Sequence, residues 1–191
     1  MAKKTPKKLR PFTRGMIIAY IGNGKGKTTA AVGVAVRARG YDKRVLFYQF
    51  FKSPEWPSGE RVALQKLGVD VVVAGKGFVG ILGDKKPKQE HKAAAWAALL
   101  EAEHLVTKGN YDLVVLDELI SCVEVGLLSQ RDVISFITEV SHFAKTKNTH
   151  IVLTGHTKYP RIVAHCDLVT DMRMVKHPYY KGYIALKGID F

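Results

Sequence analysis

Apolar residues along this chain alternate between two spacings. Short, β-branched apolar runs predict strands over 16–21, 45–50, 69–74, 113–116 and 151–154. Longer stretches between them carry helical spacing. One helix is predicted to start near Lys27, to turn Ala30, Ala31, Val34, Ala35 and Ala38 inward, and to stop at Gly40. A short helix is predicted over 59–67. Pro87 opens the longest, which reaches Lys108 through an alanine-rich middle, and a fourth over 131–145 lines up Val133, Ile134, Ile137, Val140 and Phe143. A loop holding Gly75, Gly77, Gly80 and Gly83 separates the third strand from the longest helix. The C-terminal part, 168–191, predicts two more strands joined across His177 to Gly182.

Short apolar strands with helices between them call for cover on both faces of a sheet. The pattern therefore predicts an α/β fold, a mostly parallel sheet with helices on both faces. Ligands of such sheets lie beyond the carboxyl ends of the strands. The chain has no internal repeat and no linker that would divide its body, so residues 16–191 read as one domain and residues 1–15 as a basic, flexible arm.

Composition narrows the class. With 191 residues, 47% of them apolar and 25% charged, the chain can fill a core, which argues against intrinsic disorder. Two cysteines, Cys122 and Cys166, are too few for a disulfide framework or a four-thiolate zinc site, and fit a reducing, cytoplasmic location. No apolar run reaches the roughly 18 residues that span a bilayer, and the leader lacks a secretion signal, so a soluble, unexported protein is expected. Thirty Lys and Arg against 17 Asp and Glu give a net charge of +13, densest at Lys3, Lys4, Lys7, Lys8, Arg10 and Arg14. Such an excess favours anionic ligands.

One such ligand is written into the sequence. Gly22-Asn23-Gly24-Lys25-Gly26-Lys27-Thr28-Thr29 follows a predicted strand and opens a predicted helix, the context of a phosphate loop. Backbone amides surround phosphate oxygens there, the helix adds its dipole, Lys27 supplies a charge, and the Thr28 hydroxyl can hold Mg²⁺. The usual pattern places four residues between its first glycine and the Gly-Lys pair; Gly22 and Gly26 have three between them. Kinase or ATPase chemistry does not follow from so short a loop alone. Asp117-Glu118 ends a buried strand, where a carboxylate can position Mg²⁺, and which of the two touches the ion is open.

Together with this loop, Tyr48-Gln49-Phe50, Lys52, Trp56, Gly59-Glu60, Val115-Leu116-Asp117-Glu118-Leu119, Thr154-Gly155, Val175-Lys176-His177 and Lys187-Gly188-Ile189-Asp190 resemble the cytosolic ATP:corrinoid adenosyltransferases of cobalamin biosynthesis. The likeness covers nearly the whole body. It implies a RecA-like P-loop fold, a homodimer, and transfer of the 5′-deoxyadenosyl group of ATP to cobalt(I) of a reduced corrinoid, with release of triphosphate. A flavoprotein is the implied reductant. Residue by residue, Gly22, Asn23, Gly24, Lys25, Gly26, Lys27, Thr28 and Thr29 match the family's triphosphate and Mg²⁺ loop, Glu118 its acidic magnesium partner with Asp117 beside it, and Arg37 an arginine near the nucleotide. Lys27, Thr28 and Glu118 are the implied catalytic residues.

Two positions depart from the family. Its corrinoid loop reads Gly-Phe-Thr-Trp, the aromatics crowding the lower face of the corrin; here the run is Gly77-Phe78-Val79-Gly80, so Phe78 matches and Gly80 replaces the tryptophan. After Thr154-Gly155, where arginine is common, stands His156. A neutral imidazole gives no permanent bidentate clamp.

His156, His165, Cys166 and Cys122 lack zinc-motif spacing and read as packing. Trp96 reads as core or dimer surface, Trp56 as loop packing or ligand contact. A nucleic-acid-stimulated RecA-like ATPase is the first rival function, opposed by the short loop; a nucleotide or corrinoid chaperone without turnover is another, and a thymidine-kinase-like enzyme lacks its four-cysteine lasso. The family departure generates a test. Gly80→Trp should raise turnover most with corrinoids that carry a lower base, measured against base-free cobinamide; equal effects on both would contradict a missing wedge.

Overall fold

The computed structural model describes residues 10–56, 58–77, 79 and 84–190. In chain order the elements are β1 (Ile17–Ile21), α1 (Lys27–Arg39), β2 (Val45–Gln49), α2 (Gly59–Lys66), β3 (Asp70–Val73), α3 (Lys88–Lys108), β4 (Leu113–Asp117), α4 (Ser121–Glu124), α5 (Gln130–Lys147), β5 (His150–Gly155), α6 (Pro160–Val163) and β6 (Leu168–Asp171), followed by a 3₁₀ turn over Pro178–Lys181. Among the described residues the strands form one sheet of order β3-β2-β4-β5-β1-β6, and every pairing is parallel. This is an α/β fold of the RecA-like P-loop kind. Because all strands point the same way, the carboxyl ends of β1, β2, β4 and β5 share one edge.

The central strands are buried at every position, as their unbroken apolar runs require. Side chains alternate between two layers. Phe47, Val115 and Val152 stand in register across β2, β4 and β5 and pack with Ala31 and Ala35 of α1 and Leu64 of α2. Leu46, Val114, Leu116, Ile151 and Leu153 point the other way, onto Ala98 and Leu99 of α3, Phe136 and Val140 of α5 and Ile162 of α6. Each such side chain contributes roughly 1.5–3 kcal/mol by leaving water, so the sheet is fixed from both sides.

Local signals set the ends. Ser129 and Asp132 cap α5 reciprocally, Asp132 N–H donating to Ser129 Oγ at 3.2 Å and Ser129 N–H to Asp132 Oδ2 at 2.8 Å, which starts the helix one residue before the predicted Arg131. Pro87 is the residue flanking α3 rather than its first helical one. The short helices α4 and α6 have four residues each, too few for a helical period to show in the sequence.

The predicted pair of C-terminal strands is corrected. Among the described residues of this part only Leu168–Asp171 pairs, against β1; the 3₁₀ turn begins at Pro178, and Gly182 and Gly188 take positive φ. Beyond it the N–H groups of Ile189 and Asp190 both donate to Leu186 O, at 3.1 and 2.8 Å, and Asp190 forms an ion pair with Lys25. The tail is drawn over the carboxyl edge of the sheet instead of extending it. Residues 1–9 of the predicted arm lie outside the described residues, and Arg14 pairs with Asp167, just before β6.

Gly155, at the end of β5, is pressed against the turn that follows β4. A Cβ there would lie 2.5 Å from Ile120 Cβ and 2.8 Å from Ser121 N. Gly155→Ala should therefore cost about 1–3 kcal/mol in denaturant unfolding, the usual range for overpacking, and lower ligand affinity by displacing the turn that carries Glu118. An unchanged midpoint would show that the turn yields freely.

Candidate active site

Residues 22–29 leave the end of β1 as a loop and enter α1. Gly22 and Gly26 take φ of 109° and 111°, a region that side chains disfavour, and a Cβ on Gly22 would meet Met172 O at 2.3 Å. Neighbouring backbone holds the loop: Gly22 N–H donates to His156 O at 3.0 Å, Gly24 N–H to Met172 O at 2.7 Å, and Met174 N–H to Asn23 Oδ1 at 3.1 Å. With Gly22 and Gly24 amides engaged in this way, the amides at the start of α1, whose N-terminus no side chain caps, are the ones open to an anion.

Lys27 is 7% exposed and folds back over the loop, its Nζ donating to Gly22 O at 2.8 Å and Gly24 O at 2.7 Å. Burial lowers its pKa, while Glu118, Asp117 and Glu124 pull the other way. A cation so placed gains from an incoming anion.

Opposite the loop, Asp117 ends β4 with no solvent exposure. Thr28 Oγ1 and Thr154 Oγ1 donate to its Oδ1 at 3.0 and 2.8 Å, and Gln49 Nε2 donates to its Oδ2 at 3.3 Å. Thr154 also accepts the Glu118 N–H at 2.8 Å, and Glu118 takes a φ of 64°. That unusual conformation turns the chain out of the sheet, and the Glu118 side chain lines the same cavity as the loop. The cavity, of about 280 Å³, is bounded by Asn23 to Thr29, Lys52, Glu118, His156, His177 and Asp190. Among the described residues no three His, Cys, Asp or Glu side chains converge, so a cation here would rest on hydroxyl and carboxylate oxygens with the ligand's own. Thr28, Asp117 and Glu118 are the hard-oxygen donors that suit Mg²⁺.

The structure thus brings Gly22 to Thr29, Asp117 and Glu118 together. It does not bring Arg37. Ten residues along α1 from Lys27, about 15 Å at helical rise, Arg37 faces a cavity with Tyr41, Asp112 and His150 at the other end of the sheet. Phe78 and Gly80 lie outside the described residues. Gly75 and Gly77 before them border a gap of only about 10 Å³ against Phe51, His91 and Ala95. Trp96 is 44% exposed and not core. Cys122 is core, its thiol pushed up to about 12 by burial and by Glu118, and Cys166 up to about 11 by burial and by Asp167, so neither is poised as a nucleophile.

Sequence reasoning left several neighbours without a role: Thr154, Gln49, Arg61, Asp190 and the buried hydrogen-bonded pair of Asp84 with His91, Nε2 to Oδ2 at 2.9 Å. A polar residue ending an apolar strand was the available signal for Thr154 and Gln49. Nothing in the spacing pointed to the others' contacts.

Burial first, and Glu118 second, raise the pKa of Asp117 to about 6. In an unfolded chain an aspartate titrates near 3.9, so ionisation opposes folding: stability present at low pH declines as pH rises from about 4 through 6. Without ligands, Asp117→Asn should melt above the parent protein at pH 8, the gap closing toward pH 4.5, when followed by circular dichroism. A variant less stable at pH 8 would mean that the three hydrogen bonds outweigh burial.

Comparison with known proteins completes the picture. A family model for ATP:corrinoid adenosyltransferase BtuR/CobO/CobP matches residues 13–191. The corrinoid adenosyltransferase of Escherichia coli (strain K12) is 36% identical over 178 residues, covering 93% of this chain and 86% of that protein. Corrinoid adenosyltransferase CobA of Salmonella typhimurium shows the same identity and coverage, and the corrinoid adenosyltransferase of Pseudomonas aeruginosa is 33% identical over 180 residues, 93% of this chain and 84% of that one. A phosphate loop, a buried strand-end carboxylate and a match across almost the whole length agree: this chain belongs to the ATP:corrinoid adenosyltransferase family of enzymes.

Proposed function

We propose that the enzyme transfers the 5′-deoxyadenosyl group of ATP to cobalt(I) of a reduced corrinoid and releases inorganic triphosphate. Cobalt(I) supplies an electron pair to C5′, the bond from C5′ to O5′ breaks, and that pair leaves with the triphosphate; cobalt ends as cobalt(III). The observation that carries this reading is the single cavity in which Lys27, the start of α1, Thr28 and Glu118 converge, with Lys25 and Lys52 on its wall. Its three lysines, 25, 27 and 52, offer positive charge to a chain of phosphates. Stabilising a departing anion needs that charge, and aiming a nucleophile at phosphorus does not enter.

The residues have separable tasks. Amides at the start of α1 hold phosphate oxygens, and Lys27 exchanges its two loop carbonyls for them. Thr28, with Asp117 or Glu118, would hold Mg²⁺, which supplies further positive charge against the triphosphate when bound. Thr154 keeps Asp117 and the Glu118 backbone in place. Asn23, through its side chain, ties the loop to the segment after β6. The corrinoid is assigned to the loop 75–83, which follows β3 in the sequence. The exposed apolar residues Val175, Tyr179, Tyr183, Ile184 and Ile189 suit burial in a homodimer, and reduction of cobalt is assigned to a separate flavoprotein.

Incubation with ATP, Mg²⁺, a chemical reductant and cobinamide should yield triphosphate and a light-sensitive adenosyl product. Phosphate released only with DNA would point to the rival ATPase, and tight binding without product to a chaperone. Lys27→Ala should lower kcat by roughly 10²–10³-fold, the scale for removing one group that stabilises developing negative charge. Near-normal turnover would remove Lys27 from the mechanism.

A further inference from the structure

Segment 51–56 stands between the two halves of the site. On one side Lys52 lines the phosphate cavity. On the other, Lys52 N–H donates to Ala74 O at 3.3 Å, and Gly77 lies against Ser53, 3.5 Å from where its own Cβ would be. Arg61 of α2 fixes this segment, its Nη1 donating to the carbonyl oxygens of Ser53 at 3.1 Å and Trp56 at 3.0 Å. Its Nε donates to Gln49 Oε1 at 2.6 Å.

Gln49 is wholly buried, and its amide has one acceptable orientation. Nε2 faces two carboxylates, Asp117 Oδ2 at 3.3 Å and Glu60 Oε1 at 3.4 Å, while Oε1 faces a guanidinium. Flipping the amide would set oxygen against both carboxylates and nitrogen against a cation. The arrangement is therefore directional. At its far end Asp117 accepts from Thr28, the residue that opens toward the phosphates. Four side chains thus connect the start of α1 to the backbone on which Trp56 is carried.

We propose that Arg61 is a positioning residue: through Gln49, Asp117 and Thr28 it sets segment 51–56, and Trp56 with it, according to whether the phosphate cavity is filled. Arg61 touches neither the cavity nor a reacting atom. Its effect falls on the corrinoid side, and that part of the inference rests on the function proposed above. The contacts need all of its geometry, since one flat guanidinium serves a side-chain amide and two backbone carbonyls; a lysine ammonium cannot replace that fork.

Trp56 and Trp96 are the two tryptophans of the chain, so Trp96→Phe leaves Trp56, 46% exposed, as a single fluorescent reporter. MgATP, and inorganic tripolyphosphate with Mg²⁺, should shift its emission saturably. Adding Arg61→Met should abolish the shift while ATP affinity stays within about threefold, and kcat/KM for cobinamide should fall about tenfold or more with KM for ATP little changed. Arg61→Lys should recover only part of both, and stands in if Arg61→Met does not fold. A merely structural clamp would weaken ATP and corrinoid alike and leave Trp56 responding; that result, or an emission shift that persists in Arg61→Met, overturns the proposal. A shift that does not depend on Arg61, in a protein that makes the adenosyl product, refutes the inference alone, whereas an Arg61-dependent shift in a protein that makes no adenosyl product refutes the proposed function alone.

Discussion

A carboxylate closed off from water lies at the middle of the sheet's carboxyl edge, and much of the site is built to satisfy it. Asp117 could not remain there unpaired, since desolvating a charge costs several kcal/mol. Three hydrogen bonds offset part of that cost, and each comes from a different element: Thr28 from α1, Thr154 from β5, Gln49 from β2. The same bonds bring three strand ends and a helix start into one register. Packing of the two apolar layers makes the sheet; this polar knot decides how its edge is arranged.

The knot also gives the short phosphate loop its setting. Two of its amides bind the backbone at His156 and Met172, so the loop is held from β5 and from the residue after β6 as well as from its own strand. Lys27 rests on carbonyls that a phosphate would displace. A cradle reduced in this way suits the reaction proposed above, in which the triphosphate leaves and no phosphorus has to be exposed to attack. The departure at His156 weighs little on loop placement, since it is the backbone oxygen of His156 that accepts from Gly22.

Charge follows the same logic on a larger scale. The chain carries +13, and Lys25, Lys27 and Lys52 gather at one cavity. Glu118 and Asp190 reach it too, and the ion pair of Lys25 with Asp190 keeps part of that positive field compensated. An anion entering the cavity meets a balanced set of charges rather than a bare cluster of lysines. The C-terminal tail thereby becomes part of the site, although it lies far from the loop in sequence.

The amino-acid sequence by itself determined the sheet, the large helices, the phosphate loop and the acidic strand end, because each rests on local rules: unbroken apolar runs between 113 and 116 or 151 and 154, helical spacing after Lys27 and Ser129, glycines at 22 and 26 that permit a positive φ. The family's motif sequence carried the functional assignment for the same reason. What only the tertiary structure decided is long-range. Arg37 sits on the predicted helix but at its far end, and Asp190 leaves a predicted strand to meet Lys25. Arg61 meets Gln49 across the junction of α2 with the sheet. Helices of four residues left no periodic trace. Side-chain partners set by the crossing of separate elements depend on distances that no neighbouring residue encodes, and so they appear only once the chain is folded.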